Sequence, residues 1–117
     1  MNFQDLDVYL MAKRLAINVY KTTSLFPKSE AFGMTSQMRR AAVSIPCNIA
    51  EGADRNSPKE LIQFVGIARG SCAELFALIE ISEGIGYIEN SANLREDVTN
   101  VARMLSALLQ SLRRKPL

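Results

Sequence analysis

Near the carboxyl end, Leu94, Val98, Val101, Ala102, Leu105, Leu108, Leu109 and Leu112 recur at steps of mostly three or four residues. At about 100° per residue they form one stripe, and the opposite side of the segment is polar. That period admits an α-helix and excludes a strand, whose side chains change face at every residue. The same period governs the rest of the chain, and no segment reads as a strand. The 117 residues, one domain by length, must therefore bury helix stripes against one another. Four helical segments with short connections predict an all-α fold, an antiparallel up-down four-helix bundle spanning residues 1–117.

The first segment can be capped by Asp5 or Asp7 and is expected to run to about Phe26-Pro27. Val8, Ala12, Leu15, Val19 and Thr23 make its core face, and Leu6, Leu10 and Ile17 make a second apolar strip well round the helix. The second segment starts near Ser29, with Glu30 in its first turn to suit the helix dipole, and ends near Gly52. Met34, Met38, Ala42, Ile45 and Ile49 form its stripe. Pro46 interrupts it by removing one backbone donor and crowding the carbonyl of Ala42. One kinked helix or two shorter ones would both fit.

The third segment has the clearest start. Ser57-Pro58-Lys59-Glu60 offers a cap, a proline at the first helical position and a glutamate at the third. Gly84-Ile85-Gly86 ends it. Between them lie a core face (Leu61, Val65, Ala68, Cys72, Leu75, Phe76, Ile79), a second apolar face (Phe64, Ile67, Leu78, Ile81) and a strip of small residues, Gly66, Gly70, Ala73 and Ala77. The fourth segment begins at Ser91 or Asn93, the latter with Glu96 as partner, and ends in Arg113-Arg114-Lys115-Pro116.

A helix in a monomeric bundle needs one apolar stripe, yet the first and third carry more. Glycine in a helix costs about 1 kcal/mol relative to alanine, which makes sense where another backbone approaches closely. Exposed contiguous apolar surface marks an interaction site. A homo-oligomer buried partly through the first and third helices is expected, against a centrally buried third helix in a monomer.

Composition narrows the chemistry. The chain has no His, which excludes Ser-His-Asp and Cys-His catalysis and imidazole metal sites. Two cysteines, Cys47 and Cys72, are too few for a disulfide scaffold and read as small core hydrophobes. Glu80 and Glu83 lack the inward carboxylates a di-iron bundle needs, and Gly84-Ile85-Gly86 follows a helix, so it is no dinucleotide loop. No enzyme, metal or cofactor is expected. The amino terminus, with Asp5 and Asp7, lacks the basic-then-apolar order of a signal peptide. Charges interrupt each apolar stretch before the ~18 residues of a membrane span. The expected location is cytoplasmic, with no membrane partner.

Gln37, Arg40, Ser44, Asn48 and Glu51 share one side of the second helix, and Arg69, Ser71 and Glu74 interrupt the third. Buried together they would satisfy one another as a network that fixes helix register or subunit geometry. The alternative is a ligand or partner site.

Arg39-Arg40-Ala41-Ala42-Val43-Ser44-Ile45-Pro46-Cys47-Asn48-Ile49-Ala50-Glu51-Gly52 resembles the signature of a bacterial four-helix-bundle family. Its founding members are encoded by intervening sequences in large-subunit ribosomal RNA genes. The likeness extends to Phe26-Pro27 and to Ile67-Ala68-Arg69-Gly70-Ser71-Cys72-Ala73-Glu74-Leu75, with Cys47 where the family often has serine. It implies an up-down bundle assembled as a ring-shaped homopentamer, whose role is largely unestablished. A related group, the accessory variability proteins of diversity-generating retroelements, is a basic pentamer that binds nucleic acid and a reverse transcriptase.

Net charge is only +2, with the basic excess lying before Glu60. Candidate nucleic-acid contacts are Lys13, Arg14, Lys21, Arg39, Arg55, Arg113, Arg114 and Lys115. Ring symmetry would gather such weak charge into a useful field. The expectation is therefore an oligomeric bundle that binds RNA or DNA, or else a protein–protein assembly module.

Overall fold

A computed structural model describes residue 3 and residues 6–114. Helices α1 (Asp7–Thr23), α2 (Met34–Asp54), α3 (Pro58–Ile85) and α4 (Ala92–Arg114) carry the chain, with a 3-10 turn at Lys28–Glu30 between α1 and α2. There is no strand among the described residues. Helices α1 and α3 each pack against α2 and α4, and α1 does not touch α3. The result is a rod of 49 × 21 × 20 Å, close to the ~42 Å that the 28 residues of α3 span at 1.5 Å each.

The stripes read from periodicity form the core. Ala12, Val19, Met38, Ala42, Ile45, Val65, Leu75, Ile79 and Leu105 are fully buried; of the stripe on α4, Leu94, Val98, Val101, Leu105 and Leu109 are buried and Ala102, Leu108 and Leu112 half-buried. Successively later residues of α2 meet successively earlier ones of α3. The Ser82 hydroxyl donates to Met38 Sδ at 3.3 Å, Ser44 bonds Ser71, and Gly52 lies against Phe64. At Gly52 a Cβ would sit 2.8 Å from Phe64 Cβ, so glycine there sets the approach of the two helices.

Helix α2 is a single helix through Pro46, so the two-helix alternative falls. Ile45 and Ile49 on either side of the proline are buried, at roughly 1.5–3 kcal/mol each. That offsets the ~3 kcal/mol an internal proline costs.

Several predicted ends move. Asp7 is the first residue of α1 and the capping position is Leu6, while Asp5 lies outside the described residues. Asp7 still places its charge where the dipole favours it. Helix α1 stops at Thr23, short of Phe26-Pro27, where the Leu25 and Phe26 N–H groups bond the carbonyls three residues back, at Thr22 and Thr23, instead of four. Helix α2 starts at Met34, five residues after Ser29, since Glu30 sits in the preceding 3-10 turn and caps from outside. Its Oε1 accepts the Met34 N–H at 2.9 Å. Helix α4 keeps the Ser91 alternative, starting at Ala92 directly after it with the Arg95 N–H bonded to the Ser91 carbonyl, and Asn93 is already helical. Glu83 of α3 accepts the Ser91 N–H at 2.8 Å, replacing the expected Asn93–Glu96 cap.

Helix α3 keeps both predicted ends. Ser57 Oγ accepts the Glu60 N–H at 3.2 Å, with Pro58 following the cap. Gly86 adopts φ +97°, and the N–H groups of Gly86 and Tyr87 bond back to carbonyls of Glu83 and Ser82. A left-handed residue there closes the helix, and glycine adopts it without a Cβ penalty.

Candidate functional site

The polar stripe is a surface seam between α2 and α3, not a buried network. Ser44 and Ser71 hydroxyls lie 2.9 Å apart, and Asn48 Nδ2 donates to the Ser44 carbonyl at 2.7 Å and its hydroxyl at 2.9 Å. These three half-buried residues are all of the predicted set that the fold brings together. Gln37, Arg40, Arg69 and Glu74 are exposed, and their side chains make no hydrogen bond among the described residues. The stripe stands just outside the α2 core face, so its long side chains point past the seam into solvent. Glu51 turns instead to Arg55, with Nη2 to Oε1 at 3.0 Å.

The basic candidates divide by what they touch. Arg39 is half-buried at the α1–α2 junction. Its Nε donates to Thr23 Oγ1 at 2.8 Å, and its guanidinium lies 4.5 Å from the Tyr20 ring centroid. Arg55 bridges Glu51 and Glu60 (3.0 and 3.2 Å) and stands 5.2 Å over the Phe64 ring, and hydrogen bonding to Glu51 raises its pKa. Both are engaged in holding helix junctions. Lys13, Arg14 and Lys21 are exposed along α1, and Arg113 and Arg114 are exposed at the end of α4. Lys115 lies outside the described residues. These cations do not form one cluster: α1 carries three, and two lie at the end of α4.

The cysteines also separate. Cys72 is buried, and burial pushes its thiol up to about 11. Cys47, expected in the core, is exposed, because the buried arc of α2 passes through Ile45, Pro46 and Ile49 and leaves position 47 outside.

The largest feature is apolar. On α1, Leu10 and Ile17 are 43% and 47% exposed; on α3, Ile67 and Ile81 are 45% and 49% exposed. Between the latter runs the small strip, where a Cβ at Gly66 or Gly70 would meet nothing within 4 Å. Beside it, Gly66, Arg69, Gly70, Ala73 and Phe76 of α3 and Thr99, Ala102 and Arg103 of α4 border an open groove of about 800 Å³. Arg69 and Glu74 do interrupt α3, yet an 18-residue stretch of this helix reaches a mean hydropathy of 1.4, long and apolar enough by that measure to cross a membrane. That correction to the expected absence of such a stretch has a plain cause: α3 is apolar on its core side and again on its outer side. Sequence reasoning found both faces, but placed Glu30 inside the second helix instead of ahead of it and missed the role of Glu83. A glutamate just ahead of each helix start, or poised at the preceding helix end, was the available signal.

A crystal structure of a protein of unknown function from the S23 ribosomal protein family of Bacteroides thetaiotaomicron shares the fold, with a TM-score of 0.78 at 23% identity. The likeness covers 87% of this chain and 97% of the other. No curated protein matches the chain. The model of the 23S rRNA-intervening sequence proteins matches residues 4–107, and the chain belongs to that family.

Proposed function

We propose that this protein is a non-enzymatic assembly module: an antiparallel up-down bundle that self-associates into a ring-like homo-oligomer in the cytoplasm, with five copies as the family resemblance implies. The observation that carries this reading is the pair of exposed apolar faces, Leu10 and Ile17 on α1 and Ile67 and Ile81 on α3. A bundle whose core is already closed has no internal use for them, and patches of this kind mark interaction surfaces. Gly66 and Gly70 of α3 fit the same role, since each costs about 1 kcal/mol in helix propensity although a Cβ there would meet nothing within 4 Å in its own chain. Light scattering on the eluted wild-type protein tests it. A mass several times that of the chain is expected, and a stable monomer at micromolar concentration overturns it.

Nucleic-acid binding is the second reading, favoured by Arg113 and Arg114, which are exposed and without an acidic partner among the described residues. A ring would gather these pairs at one end. Anisotropy titrations of structured RNA and duplex DNA at several salt concentrations test it. Log-linear weakening with salt, flattened by neutralising Arg113, Arg114 and Lys115, supports phosphate contacts. No binding at low salt leaves assembly alone.

A further inference from the structure

We infer that the two exposed faces are partners for each other: the outer face of α1 on one copy docks on the outer face of α3 on the next. The inference rests on the assembly reading and adds which surfaces meet. Its first ground is position. Helices α1 and α3 both touch α2 and α4 but not each other, so they stand diagonally across the bundle and their outer faces look in opposite directions. Two copies related by a two-fold axis through either face would leave the other uncovered. Pairing unlike faces covers both, and it propagates head to tail until the ring closes.

The second ground is charge. The charges of α1 are Asp7 at its first residue and then Lys13, Arg14 and Lys21, all exposed, three cations to one acid. The cations lie beside Leu10 and Ile17. The charges of α3 are exposed Lys59, Arg69, Glu74 and Glu80 and half-buried Glu60 and Glu83, four acids to two cations. Of these only Glu60 takes part in an ion pair among the described residues, with Arg55. A basic apolar face therefore confronts an acidic apolar one. Like faces would set Lys13, Arg14 and Lys21 against their own copies, which repels. The third ground is shape. The α3 face is low along Gly66, Gly70, Ala73 and Ala77, with Ile67 and Ile81 beside the strip, and the α1 face is raised by Leu10 and Ile17. Small residues let a second helix come close.

The test uses two full-length variants, each blocked on one face at exposed positions: Leu10→Asp with Ile17→Asp, and Gly70→Glu with Ala77→Glu. Circular dichroism confirms that each remains helical. Light scattering should find each variant monomeric alone, and an equal mixture should form a species of twice the chain mass and no larger. A homodimer from either variant alone, or a mixture that stays monomeric, overturns the pairing. A second measurement uses charge. Lys13→Glu with Lys21→Glu should dissociate the wild-type assembly, and so should Glu74→Lys with Glu80→Lys. Combining all four changes in one chain should restore it; failure to restore overturns the electrostatic match. A monomeric wild type overturns the assembly reading itself, and leaves these faces to another protein or to a lipid surface.

Discussion

Tyr87 donates its hydroxyl to Glu30 Oε2 at 2.7 Å, joining the loop after α3 to the turn before α2 across 57 residues of sequence. The Phe26 and Tyr87 rings lie 5.3 Å apart beside this bond. The other carboxylate oxygen of Glu30 caps α2 through Met34, so one side chain fixes a helix start and a loop. Tyr87→Phe keeps the ring but removes the hydroxyl, and a lower thermal midpoint with unchanged helicity is expected by circular dichroism. Tyr87→Phe with an unchanged midpoint would show that the ring contact alone holds this end.

Acid should loosen the same end of the molecule. Glu30 is held below the usual carboxylate value of 4.5 by the Met34 N–H and then by Tyr87, and Glu83 by the Ser91 N–H. A carboxyl whose folded pKa is depressed adds stability that is present above its unfolded pKa and is lost as pH falls through the folded one. Urea midpoints should therefore drop as pH falls below about 4.5. The combined variant Glu30→Gln, Glu83→Gln should start lower at pH 7 and show a shallower drop. Parallel curves for the two proteins would count against this origin.

The glycines of the helices should respond in opposite senses. Gly66→Ala and Gly70→Ala meet no neighbour, so each should stabilise the bundle by about 1 kcal/mol while weakening self-association. Gly52→Ala pushes a Cβ against Phe64 and should destabilise it. Urea unfolding of each variant in a background already monomeric, with light scattering on the otherwise wild-type chain, separates the two effects.

Thiol labelling should distinguish the cysteines. Under native conditions at pH 8 a maleimide should modify exposed Cys47 and spare Cys72, which is buried and has a thiol pKa raised to about 11. Mass spectrometry should find one adduct per folded chain and two after denaturation. Two adducts on the folded chain would mean that the α3 core face opens readily.

Leu105→Ala removes a fully buried side chain from the α4 stripe and should cost about 3 kcal/mol. Its measure is a lower urea midpoint with little change in slope.

Much of the architecture is written in local and periodic signals. The α4 stripe, the α1 core face and the run from Ile45 to Ile49 need only the helical repeat, because that repeat sets the angle of each side chain on its own cylinder. The Ser57 cap and the Gly86 terminus need only a few neighbouring residues. What the repeat leaves open is how each cylinder is rotated against its neighbours. That rotation put Cys47, Arg40 and Glu74 in solvent, closed Ser44 on Ser71 and turned Arg39 onto Tyr20. It also joins residues distant in sequence, such as Glu83 with Ser91 and Glu30 with Tyr87, while the predicted start of α2 moved because Glu30 bonds the Met34 N–H from outside the helix. The sequence alone determined which strips of each helix are apolar. Only the packed bundle decided which strips become core and which are left facing outward, because burial is a property of two surfaces brought together.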